Sequence, residues 1–140
     1  AVLMLKSSFN KEIKAMGQCI RFSWPSGKAD AILADTPTAV ALLNALPIES
    51  DANIWGKEVY FDAGFAAAAE PDAREVVNSG DVCYWVQGQC LALLYGPTPA
   101  SREGECRLIS KANVIGKMKG NPHVLETVCN GDSILVEVVE

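Results

Sequence analysis

The stretch "GDVCYWVQGQCLALLYGPTPAS", residues 80–101, holds two cysteines, two tyrosines and a tryptophan in a run closed by Gly-Pro-Thr-Pro. Apolar residues on either side of "QG" read as two strands joined by a tight connection, the pattern of a β-hairpin. In the first strand Cys83 and Trp85 share a face, and a two-residue turn at Gln87 and Gly88 sets Cys90 across from Trp85. The cysteines then serve as small packing partners of an aromatic ring. At the far end, Gly96 permits backbone angles closed to other residues, while Pro97 and Pro99 turn the chain out of the sheet. A phosphate-binding loop would carry more glycine and a lysine.

The five cysteines, at 19, 83, 90, 106 and 129, are an odd number without a CxxC pair. That spacing argues against a disulfide framework and a structural zinc site, and leaves reduced, mostly buried thiols as the expectation. The chain has 140 residues, 49% hydrophobic and 21% charged, which fits one folded, soluble domain over 1–140. A net charge of −5 with 12 scattered Lys and Arg gives no basic face for a phosphate backbone, so nucleic acid is not an expected partner. No apolar run reaches the roughly 18 residues a membrane helix needs, and "AVLMLKSSF" lacks the charged flank of a secretory signal. A cytoplasmic location is expected, and no membrane partner.

Working outward from the hairpin, "QCIRFSW" and "KADAILAD" flank a Pro-Ser-Gly turn and read as a second hairpin over residues 18–34. Asp35 or Thr36 caps a helix opened by Pro37, with Val40, Leu42, Leu43 and Leu46 on its apolar face and Pro47 at its end. "IESDANIWG" reads as a loop that presents Trp55. In the strand "KEVYFDA" that follows, Val59 and Phe61 face one side and Glu58 and Tyr60 the other, so one face is wet or lines a groove. "FAAAAEPDA" reads as extended with a turn at Glu-Pro-Asp. Further strands are expected at "REVV", "ANVIGKMKG" and "SILVEVV", with a short helix entered at Asn121-Pro122. Residues 1–16 are expected to form a loose arm or, over 8–16, a short helix. Seven or eight short strands with two or three short helices suggest a closed or nearly closed barrel, since closure removes exposed strand edges.

In that order, "LPIESDANIWGKEVYFD", "REVVNSGDVCYW", "CLALLYGPTPAS" and "ANVIGKM" resemble the small prokaryotic cyclophilin-like proteins. The resemblance spans residues 46–119 and implies a mainly β fold, a closed eight-stranded barrel with two or three short helices at its ends. It implies no established reaction. Members usually carry a Trp-Pro-Pro-Gly turn where this chain has Trp85, Val86, Gln87 and Gly88. The Phe-His-Arg signature of prolyl-isomerase cyclophilins is absent, and Arg21, Arg74, Arg102 and Arg107 sit in no such context. A shared fold does not carry function with it.

His123 is the sole histidine and lies far in sequence from Cys83, Cys90 and Ser101, so no nucleophile and base pair is evident. Glu49, Asp51, Glu58 and Asp62 bracket Trp55 without the spacing of a calcium loop and read as solvated charge, so no metal or cofactor is expected. The aromatics are more informative. Trp55 and Trp85 stand at a strand entrance and a strand end, and with Tyr60, Tyr84 and Tyr95 on three strands they would form a shallow aromatic pocket at one rim. Asn53, Tyr60, Gln89 and Thr98 could supply the polar groups that orient a ligand. The expected function is non-covalent binding of a small molecule or short peptide there. The alternatives are a prolyl-isomerase-like enzyme that twists an X-Pro bond, or an oligomeric interaction module built on exposed aromatics. The sequence leaves homo-oligomerisation open.

Overall fold

The computed structural model describes residues 15–140, so the arm or helix expected at 8–16 falls almost entirely outside the described residues. The first hairpin joins β1 (Cys19–Trp24) to β2 (Gly27–Leu33), with Trp24 opposite Gly27. Ile20, Phe22 and Trp24 alternate inward with Ala29, Ala31 and Leu33. Ile20, Phe22 and Trp24 stand opposite Ala31, Ala29 and Gly27, so large side chains of one strand are matched by small residues of the next. Helix α1 (Pro37–Ala45) is capped by Thr36, whose Oγ1 accepts the Ala39 N–H at 3.0 Å, and Pro37 stands in its first turn. Leu42 is fully buried, while Val40, Leu43 and Leu46 pack at the margin of the core.

The chain continues through β3 (Ile48–Asp51), β4 (Asn53–Trp55), β5 (Glu58–Asp62), β6 (Arg74–Val77), β7 (Asp81–Trp85), β8 (Cys90–Leu94), β9 (Cys106–Met118), the 3₁₀-helix η1 (Pro122–Thr127) and β10 (Ser133–Val138). All strand pairs are antiparallel, in the order β3-β10-β1-β2-β9-β7-β8-β5-β4, with β6 joined to β9. This corrects the expectation of a closed eight-stranded barrel: the sheet is open, and among the described residues it has ten strands. Its two end strands, β3 and β4, pair only with β10 and β5 and form no ladder with each other. They are consecutive pieces of chain separated only by Ala52, so the backbone passes from one edge of the sheet to the other instead of pairing across it. At this seam the backbone groups of Ala52 bond to Gly131 and Asp132, and the Ile54 N–H donates to Asn130 Oδ1 at 3.2 Å. A loop thus satisfies the edge groups that a ladder would otherwise use. The segment read as a loop, "IESDANIWG", supplies both additional strands.

Two apolar clusters lie on the two faces of the β5–β8–β7 region. Val59 and Phe61, Leu91 and Leu93, and Val82 and Tyr84 join the larger one. Their alternates Cys83, Ala92 and Leu94 form the smaller one with Val77, Cys106, Leu108 and Ala112, and Tyr60 and Trp85 pack against it. The smaller cluster exists because β9 changes partners along its 13 residues. Cys106 and Arg107 pair with β6, Ala112 pairs with both β6 and β7, and the residues beyond it pair with β7 and β2. The register shifts between Val82 and Cys83, as a bulge that bends a strand requires. At Gly116 a Cβ would stand 2.6 Å from the Ile32 carbonyl oxygen, so only glycine allows β2 this close.

The extended segment 63–73 has no strand partner among the described residues and is held by side chains. Tyr84 Oη donates to the Phe65 carbonyl at 2.8 Å and accepts from the Ala67 N–H at 3.0 Å, and the Phe65 and Tyr84 rings stack at 5.2 Å. Asn113 is wholly buried. Its Oδ1 accepts the Glu70 N–H at 2.8 Å and its Nδ2 donates to Thr38 Oγ1 at 2.9 Å and to the Ala68 carbonyl at 3.0 Å. Glu70 in turn accepts from the Thr38 N–H at 3.0 Å and from its hydroxyl, which sets a carboxylate at the positive end of α1.

Two variants test these ties. Asn113→Ala strands the Glu70 N–H and the Ala68 carbonyl and is expected to cost about 3 kcal/mol, read as a lowered urea midpoint. In the four-residue loop between β7 and β8, Gln89 holds a left-handed backbone with φ of 53°. Gln89→Gly removes that strain and is expected to raise the midpoint by the equivalent of roughly 0.5–1 kcal/mol.

Candidate functional site

Trp55 and Glu58 face one another across a two-residue turn, Gly56-Lys57. Gly56 has a φ of 60°, the first-position requirement of a II′ hairpin turn. A Cβ there would fall 2.8 Å from Thr98 Cα, because the 96–101 loop lies on this turn. The Lys57 N–H donates to the Pro97 carbonyl at 3.0 Å and the Tyr95 N–H to the Lys57 carbonyl at 3.0 Å. The Gly-Pro-Thr-Pro run therefore braces the turn that holds Trp55 beside Glu58.

Trp85 is fixed from two sides. Its Nε1 donates to Ser110 Oγ at 2.6 Å, and its six-membered ring lies so close to Gly88 that a Cβ there would stand 2.1 Å from it. Tyr60 meets the same indole edge to face, with centroids 6.1 Å apart and planes at 83°. Trp55, Glu58, Tyr60, Trp85, Leu108 and Ile109 enclose a cleft of about 230 Å³. It opens between the β4–β5–β8–β7 face of the sheet and the first half of β9. Ile109 is 60% exposed at its edge, while Leu108 is buried beneath.

Glu58 stands out electrostatically. It is only 4% exposed, and its Oε1 has no hydrogen-bond partner among the described residues. Burial away from water disfavours the charged form and pushes this carboxyl up to about 7. On the neighbouring strands, burial raises the Cys83 and Cys90 thiols, and their proximity to acidic groups, Glu58 among them, adds to that. Both are held as neutral thiols.

The structure brings three of the six sequence-predicted residues, Trp55, Tyr60 and Trp85, to one cleft. The other three do not line it. Asn53 is exposed and its Nδ2 donates to the Tyr60 carbonyl at 3.3 Å. Gln89 is exposed in the hairpin loop. Thr98 is buried, with its hydroxyl donating to the Arg107 carbonyl and its N–H bonded to Ser101 Oγ at 2.9 Å. Its polar groups are spent on holding the loop. Glu58 is buried where the sequence leads to an expectation of solvated charge, and its place on the same strand face as Tyr60 is the signal that it shares the groove. Among the described residues no group of three His, Cys, Asp or Glu could hold a metal ion, and no helix is long and apolar enough to cross a membrane.

The raised carboxyl has a consequence for stability. Unfolding returns Glu58 to its ordinary value of 4.5, so between 4.5 and about 7 the folded state binds the extra proton. Stability is therefore full below 4.5 and falls as pH rises through 7, by up to about 3 kcal/mol. Relative to Glu58→Gln, the native protein should lose stability across this window in urea unfolding series, and the variant's profile should be flatter there.

The comparisons agree with this architecture. The family model described as Cyclophilin-like matches residues 18–137. The solution structure of a hypothetical protein from Archaeoglobus fulgidus is similar at 34% sequence identity, over 91% of this chain and 98% of that one, with a TM-score of 0.76. No curated protein matches the chain. A family match over most of the sequence, and a solved relative that aligns along nearly its whole length, show that the chain belongs to the small prokaryotic cyclophilin-like family.

Proposed function

We propose that the protein binds a small molecule, or a side chain of a short peptide, non-covalently in the cleft between Trp55, Tyr60 and Trp85. The observation that carries this reading is Glu58, a buried polar group without a partner on the wall of an aromatic cleft. Buried polar atoms are nearly always hydrogen-bonded, and an orphan at an open cleft fits a group that a ligand completes. The surroundings favour a preformed site. Trp85 is tied to Ser110 and seated on Gly88, and the turn carrying Trp55 is braced by the 96–101 loop. A ligand would pay little to order these walls.

No specific observation favours a prolyl isomerase, since no arginine lines the cleft to contact a proline amide. The interaction-module reading has nothing comparable to Glu58 behind it. A ligand that binds only the native state must raise its stability. At a hundred times its Kd the gain is about 2.7 kcal/mol, which raises Tm by roughly 10 °C for a chain of this size. A fragment panel screened by thermal shift should yield compounds that stabilise the native protein, with the shift lost in Trp55→Ala and Trp85→Ala while both variants still unfold cooperatively. Shifts that persist unchanged in both variants would remove this cleft as the site.

A further inference from the structure

We propose that the ligand of this cleft is an organic ammonium ion, its charge set against the Glu58 carboxylate and its apolar body against the aromatic walls. This rests on the reading of the cleft as a binding site and adds the chemical class of what enters. Five polar or charged residues are buried among the described residues: Thr38, Glu58, Asp81, Thr98 and Asn113. Asp81 accepts from the Asn78 N–H at 2.8 Å and lies 3.6 Å from Lys117 Nζ, and Thr38, Thr98 and Asn113 are hydrogen-bonded. Glu58 alone keeps an unpartnered side-chain atom.

Among the described residues, none that lines the cleft supplies the missing positive charge. The strand neighbours offer Tyr60 on β5, the neutral Cys83 on β7 and Cys90 on β8, Trp55 on β4, and Leu108 and Ile109 on β9. Arg107, also on β9, is committed to Glu75 at 3.0 Å and Glu105 at 2.9 Å. A cation entering the cleft meets a carboxylate among three aromatic side chains, whose π-electrons favour positive charge, whereas an anion is opposed by both. The net charge of −5 adds a long-range field of the same sign. Because the carboxyl must be ionised to pair, and burial holds it near 7, the ion displaces a proton on entry and binds more tightly at higher pH.

The test uses the full chain with choline and phenethylammonium, and with 3,3-dimethyl-1-butanol and 2-phenylethanol as their uncharged counterparts, by calorimetric titration. The ammonium ions should bind at least about tenfold more tightly than the alcohols and lose about tenfold in affinity from pH 8 to pH 6, as a carboxyl titrating near 7 requires. Glu58→Gln, which keeps the shape and removes the charge, should abolish both the preference and the pH dependence while folding as before. Alcohols that bind as well as the ions, with Glu58→Gln unchanged, would overturn the ammonium proposal and leave the cleft reading standing. The absence of ammonium binding beside fragment hits that depend on Trp55 and Trp85 would do the same. Ammonium binding that survives Glu58→Gln, Trp55→Ala and Trp85→Ala alike would overturn both.

Discussion

The change of partner along β9 is the constraint on which both the fold and the cleft depend. Its second half lies in the sheet between β2 and β7, and its first half leaves to pair with β6, carrying Leu108 and Ile109 over the outer face. Without that excursion, Glu58, Tyr60 and Trp85 would sit on the solvated side of an antiparallel sheet, where a glutamate costs nothing. With it, the outer face acquires a small core of its own, and Glu58 is drawn out of water. The same strand supplies Asn113, whose three hydrogen bonds hold the 63–73 segment and, through Glu70, the start of α1. One element thus joins the main core, the helix and the cleft.

The open seam fits this arrangement. Because β3 and β4 are joined through Ala52, the last strands of the sheet are anchored by chain connectivity and by the 129–132 loop, not by a mutual ladder. β4 is consequently an edge strand paired only with β5, and it carries Trp55 at its end. The 96–101 loop compensates by packing on the Gly56-Lys57 turn, which gives the proline-rich run a positioning role. Trp85 needs Gly88 for an equally local reason, since no side chain fits beneath its ring. The walls of the cleft are therefore set by turns, while its charge is set by burial.

Much of this was legible in the sequence wherever a local pattern determined it. The alternation in "KEVYFDA" separated Val59 and Phe61 from Glu58 and Tyr60, and the hairpin placed Cys90 across from Trp85, as the register has it. Asp35 or Thr36 with Pro37 marks the start of the helix, and Thr36 is the cap; Asn121 and Pro122 mark the 3₁₀ turn, and 63–73 is extended with its turn at Pro71-Asp72. What stayed hidden is non-local. Short edge strands carrying Asp51 and Asn53 look like loop, because their pairing with β10 and β5 is written elsewhere in the chain. The first half of β9 escaped because the alternation that buries Cys106 and Leu108 loses phase before Asn113. No pattern in any one strand says whether the sheet's two ends meet. Glu58 reads as a surface charge until Leu108 and Ile109 are known to line the same cleft.

The account turns on the state of that one carboxyl, which can be observed directly. With glutamate side-chain carboxyl carbons labelled with ¹³C and Glu58 assigned by comparison with Glu58→Gln, its chemical shift can be followed against pH in the ligand-free protein. The midpoint expected for Glu58 is about 7. A midpoint at the ordinary value of 4.5 would mean that water or an unseen partner already satisfies the carboxylate, and would contradict the claim that the cleft holds an acid awaiting a ligand.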